Sequence, residues 1–155
     1  MIDVAKDHYM HMPSYAVLMA EIKKSNPEFE TAASVVVSKN LFDLLLKIAI
    51  SASEFDERFY LEQNPDVRAA IAKGVLKTGR EHFINKGFSE GRHGADPVVD
   101  EKWYLAAYPD VAKAVKTGKI GSASEHYAIT GWREGRAANA QTEKDVKFWL
   151  AMLQP

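Results

Sequence analysis

Residues 56–92 and 100–136 of this 155-residue chain align without a gap, and 15 of the 37 paired positions are identical. No other feature constrains the fold as strongly, because a short repeated unit cannot bury its apolar face alone and must pack against a neighbour or a cover. The matching pairs are spread along the whole span: Tyr60/Tyr104, Leu61/Leu105, Pro65/Pro109, Asp66/Asp110, Val67/Val111, Gly74/Gly118, Glu81/Glu125, His82/His126, Gly87/Gly131 and a closing Glu-Gly-Arg.

Helix punctuation divides each copy into three short helices, near 54–63, 65–73 and 79–86 in the first and near 100–107, 109–117 and 123–130 in the second. Pro65 and Pro109 suit a first helical turn, and Gly74 and Gly118 suit the left-handed position past a helix end. Asn64 is the expected N-cap of the first middle helix. Tyr108 in the same place predicts a weaker start, or one capped by Asp110. Val67, Ala70 and Ile71, like Val111, Ala114 and Val115, recur at i, i+3 and i+4 and mark a narrow core stripe. Thr78-x-x-Glu81 and Ser122-x-x-Glu125 have capping-box spacing, with Gly87 and Gly131 expected to close the third helix.

Both ends supply candidate covers. Residues 14–24, 28–37 and 39–51 carry helix-compatible patterns, with Ser38 a cap for the last. Thr142-x-x-Asp145 opens a final helix in which Val146, Trp149, Leu150 and Leu153 recur at helical spacing. The expected organisation is an N-terminal helical cap at 1–53, repeat 1 at 54–98, repeat 2 at 99–140 and a C-terminal helix at 141–155, packed as one compact unit. Gly94 and Pro97 argue against a continuous helix across the junction, and no βαβ or meander pattern is present. The expected fold class is all-α.

Composition then removes whole classes of function. A net charge of −1 and a pI near 6.5 give no global attraction for nucleic acid or anionic membranes. The absence of cysteine excludes disulfides and thiolate zinc sites. The first residues lack the basic and apolar regions of a secretory signal, which predicts a cytoplasmic location and leaves surface association to another route. The most apolar run, "LFDLLLKIAI" at 41–50, holds Asp43 and Lys47 and is about half the length a membrane span needs, so it reads as a buried helix.

Candidate chemistry is sparse. Glu81-His82 and Glu125-His126 offer metal-ligand and proton-carrier types, but adjacent helical residues point about 100° apart and the glutamates have capping work. His8-x-x-His11 places two imidazoles on one helical face near the terminus. The "GFSEGR" and "GWREGR" segments lack the Lys-Ser/Thr of a phosphate-binding loop and read as turns. Arg92 with Glu90, and Arg136 with Glu134, fit an ion pair tying that turn to a neighbouring helix, with ligand contact by the arginines as the alternative. Trp103 and Trp132 would offer flat faces to a sugar or a partner if exposed, and packing in a repeated core is the competing role. Trp149, on the last amphipathic helix, is the candidate interface aromatic. No nucleophile elbow, catalytic constellation, cofactor motif or metal site is identified.

The ordered set Tyr-Leu, Pro-Asp-Val, a mid-repeat Gly, His-Phe/Tyr and Glu-Gly-Arg, read in "FDERFYLEQNPDV" through "EHFINKGFSEGR" and again in the second copy, resembles a short tandem module. That module is found in bacterial proteins beside or fused to surface-polysaccharide glycosyltransferases and methyltransferases, and in some surface proteins. The resemblance covers residues 55–136 and implies a context in surface-polysaccharide biology without assigning any residue a ligand. The expectation is a non-enzymatic module that binds a glycan or docks onto glycan-handling machinery, through Trp103, Trp132, Arg92, Arg136 or Trp149. The alternative is a protein-binding adaptor or assembly subunit with no glycan ligand, self-associating through the C-terminal helix. Nucleic acid is not an expected partner.

Overall fold

The computed structural model describes residues 13–154, and these contain α-helices, two π turns and no strand. The protein is all-α. His8 and His11 lie outside the described residues. The segments expected from the sequence fall into two compact units, Met1–Ala95 and Asp96–Pro155. The N-terminal cap and first copy make one, and the second copy and last helix make the other.

The first unit contains α1 (Tyr15–Lys24), α2 (Lys39–Ser51), α3 (Glu57–Gln63), α4 (Pro65–Ala72) and α5 (Gly79–His82), which runs into a π turn at Phe83–Gly87. Ser38 caps α2 through its hydroxyl, as expected, and Ser14 caps α1 in the same way. Residues 28–37, expected as a helix, instead form turns and irregular backbone. The cause is Asn26: its buried amide donates to the carbonyls of Ile22 and Val36 and accepts the Val36 N–H, at 2.6–2.8 Å. The three successive β-branched residues Val35–Val37 disfavour a competing helix.

The second unit repeats the arrangement with α6 (Glu101–Ala107), α7 (Pro109–Lys116), α8 (Ala123–His126), a π turn at Tyr127–Gly131, and then α9 (Ala140–Met152). In each unit Asp56 or Asp100 caps the first helix, Pro65 or Pro109 opens the second, and Gly74 or Gly118 ends it at φ near +70°. The chain then closes on itself: Asp56 N–H donates to the Gly94 carbonyl, and Asp100 N–H to that of Ala138.

Each core is built around one tyrosine with no exposed surface. Tyr60 packs with Ile50, Val67, Phe83 and Ile84; Tyr104 packs with Val111, Ala123, Tyr127 and Ala138. The "LFDLLLKIAI" helix, expected to be buried, buries only Ile50, and Phe42, Leu45 and Leu46 stay exposed. Helical periodicity identifies an apolar face; it does not supply an element to cover it. α9 likewise buries none of its residues.

The third helix departs most from expectation. Thr78 and Ser122 do accept the N–H of Glu81 and Glu125. The reciprocal half of the box is shifted back by one residue, to Lys77 N–H and Gly121 N–H. The first two N–H groups of each helix are instead held by a carboxylate from the unit's first helix, Glu57 on Gly79 and Arg80, Glu101 on Ala123 and Ser124. Gly87 and Gly131 are the last residues of the π turns, though neither is left-handed; the left-handed glycines are Gly91 and Gly135, four residues on, at φ +75° and +72°.

Candidate docking surface

A repeated polar frame organises both units, and its parts are occupied with one another. The Tyr60 hydroxyl lies 2.9 Å from Nδ1 of His82, and the Tyr104 hydroxyl 3.0 Å from Nδ1 of His126, both pairs buried. Burial pushes both phenols up to about 12. Burial, helped by the nearby Arg92 charge, holds His82 below the ordinary imidazole value. Each hydroxyl sits where a Cβ on Gly87 or Gly131 would stand. The π turn and its glycine are thus what admits the tyrosine, with Phe88 N–H reaching the Phe83 carbonyl and Trp132 N–H that of Tyr127.

Arg92 makes a two-pronged pair with Asp66 at 2.9 Å and a further bond to Glu90 at 2.7 Å. Arg136 repeats this with Asp110 and Glu134 at 2.6–2.9 Å. The hydrogen bonds from Arg92 and Arg136 hold the Asp66 and Asp110 carboxyls down to about 2, and the aspartates in turn push the guanidiniums up. These arginines, candidates for ligand contact, are engaged in tying the closing turn to the middle helix. Asp110 therefore does not cap α7, and no side chain caps α4 or α7.

The remaining candidates separate. Trp103 and Trp132 are half-buried against the Tyr104 core, with Trp103 edge-on to Tyr108 at 6.1 Å. Trp149 is 57% exposed and touches Phe148 edge-on on the outside of α9. In the Glu-His pairs the carboxylate turns back to the helix start while the imidazole turns inward to tyrosine. No group of three or more His, Cys, Asp or Glu side chains is placed to hold a metal ion among the described residues. Nor is any described helix long and apolar enough to cross a membrane.

An open groove of about 320 Å³ lies between α2 and the π turn of the first unit. Leu46, Ile50 and Ile84 form its apolar floor, Phe88, 41% exposed, stands beside them, and Asp43, Lys47, Asn85 and Ser89 supply polar groups. Lys47 donates to the Asn85 amide oxygen at 2.9 Å, bridging α2 to the π turn, and Lys39 holds Asp43 at 2.6 Å. None of these residues is among the arginine and tryptophan candidates. The available signal was divergence between the copies: Ile84, Asn85 and Phe88 correspond to Ala128, Ile129 and Trp132. Comparison with protein-family models, with curated proteins and with solved structures finds no match to this chain.

Proposed function

We propose that this chain is a non-enzymatic docking module whose groove between α2 and the π turn receives an amphipathic helix of a partner protein. One observation carries the reading: a groove with exposed Leu46 and Phe88 over the buried Ile50 and Ile84 stays open, continues along α2 to exposed Leu45 and Phe42, and is edged by charged and amide groups. A helix presenting a bulky side chain at i and i+3 or i+4 fits a surface of this kind. The resemblance of the repeats supports partners that handle surface polysaccharide.

A glycan ligand is the second reading, favoured by Phe88 standing beside Asp43, Asn85 and Ser89. An aromatic edge with a carboxylate, an amide and a hydroxyl is a set that can hold a sugar ring. A photo-crosslinking side chain placed at Leu46 in the native host separates the two. The docking reading expects one protein adduct that is absent when the probe sits at Val75, which is exposed and does not line the groove. Equal labelling from both positions sinks it. Amide shifts of Asn85 and Phe88 on adding bacterial polysaccharide fragments, with no such adduct, would favour the glycan.

A further inference from the structure

We propose that the segment at residues 35–37 is a strand edge through which two copies of this chain pair antiparallel. The argument begins with Asn26, which is buried and gives Val36 the two bonds that a neighbouring strand would give: its Oδ1 accepts the Val36 N–H at 2.6 Å and its Nδ2 donates to the Val36 carbonyl at 2.8 Å. A residue whose own N–H and C=O face the same side is extended. All peptide bonds here are trans, and in a planar trans peptide the C=O points opposite to the following N–H. The Val35 carbonyl and the Val37 N–H therefore both point away from Asn26, and neither has a partner among the described residues. Val35 and Val36 are 45% and 69% exposed.

One donor at residue 37 and one acceptor at residue 35 form a self-complementary set. About a two-fold axis through Val36, the Val37 N–H of each copy donates to the Val35 carbonyl of the other, the pattern that flanks a non-hydrogen-bonded pair in an antiparallel ladder. The exposed valines suit a pleated contact, and an open edge is a template for such pairing. A second copy satisfies both groups at once about this axis, and every molecule in solution carries the same edge. Two hydrogen bonds and three valines a side make a weak dimer, with a Kd on the order of tens of micromolar to millimolar. The inference stands on backbone groups of residues 35–37 and is independent of what the groove binds.

Sedimentation of the full chain as a function of concentration tests it, with Val36→Lys and Val36→Glu as variants. Both keep the backbone that Asn26 holds. Each alone should shift the dimer midpoint upward at least tenfold, because like charges then face each other across the axis, and an equimolar mixture should restore association. Val37→Pro, which deletes the donor, should also abolish the dimer. A chain that stays monomeric to about 1 mM, a dimer that survives Val36→Lys, or one lost on Trp149→Ala but kept in Val36→Lys overturns the proposal.

Discussion

In the first copy, Asn64 reaches back to the Tyr60 carbonyl and accepts a bond from Arg92, both at 2.7 Å. In the second copy Tyr108 stands at the same place. Its hydroxyl accepts the Ala137 N–H at 2.9 Å, and Arg136 lies over its ring at 4.9 Å. The arginine is thus positioned by an amide in one unit and by an aromatic face in the other, while its bonds to aspartate and glutamate are unchanged. What differs alongside is the cover. Ile84 packs with Ile50 of α2 in the first core, whereas the second core takes in Tyr108, Trp132 and Ala138. The frame of tyrosine, histidine and arginine is fixed, and variation falls on the residues that decide what packs against it.

Removing the frame should break both units about equally. Tyr60→Ala and Tyr104→Ala should each cost about 3–5 kcal/mol, read by denaturant unfolding, and residue-resolved hydrogen exchange should place each loss in its own unit. Loss confined to the same unit for both variants would mean the frames are not equivalent. Gly87→Ala and Gly131→Ala should cost about 1–3 kcal/mol each, by driving a methyl into the tyrosine hydroxyl. The sharper version combines each with Tyr→Phe at 60 or 104, which should recover part of that cost in the same unit only.

The variable position should separate the units. Asn64→Ala removes two hydrogen bonds, one of them to a cation, and should cost about 2 kcal/mol; Tyr108→Phe removes one and keeps the ring under Arg136, costing about 1 kcal/mol. Equal costs would mean that the amide and the aromatic face do not differ in what they supply. The smallest effect is one of pH. His82 is depressed in the folded chain, so its share of stability is fully present above the ordinary imidazole value of 6.5 and is lost as pH falls from there through its folded value. Stability measured between pH 7 and 5 should decline in the parent and flatten in His82→Gln. A parallel decline in both places the titration elsewhere.

Much of this was legible because it is local. Ser38, Thr78 and Ser122 cap where a hydroxyl precedes a periodic run, and Pro65, Gly74 and their counterparts punctuate the middle helix within a few residues of one another. The ion pair of Arg92 with Glu90 was readable from the repeated turn. Contacts that join residues distant in sequence were not. Asn64 reads as a cap until Arg92, 28 residues on, claims its oxygen, and Glu57 reads as an ordinary first-turn acid until Gly79 and Arg80 turn their N–H groups to it. The groove is not legible for the same reason, because Leu46 and Asn85 line it together only once α2 lies against the π turn.

The π turn also sets how such units are to be found in other chains. Tyr60 and His82 are 22 residues apart, and Gly87 and Arg92 follow the histidine in steps of five, which are the i to i+5 strides of the widened turn and of the helix end beyond it. Tyr104, His126, Gly131 and Arg136 keep the same intervals. A one-residue deletion between histidine and glycine would move the missing Cβ off the hydroxyl, so the interval is fixed there, while Phe83 and Ile84, buried in the first core, still call for apolar residues. The recognisable signature of the unit is therefore a ruler of four residues at fixed intervals, read together with the aspartate that each arginine holds.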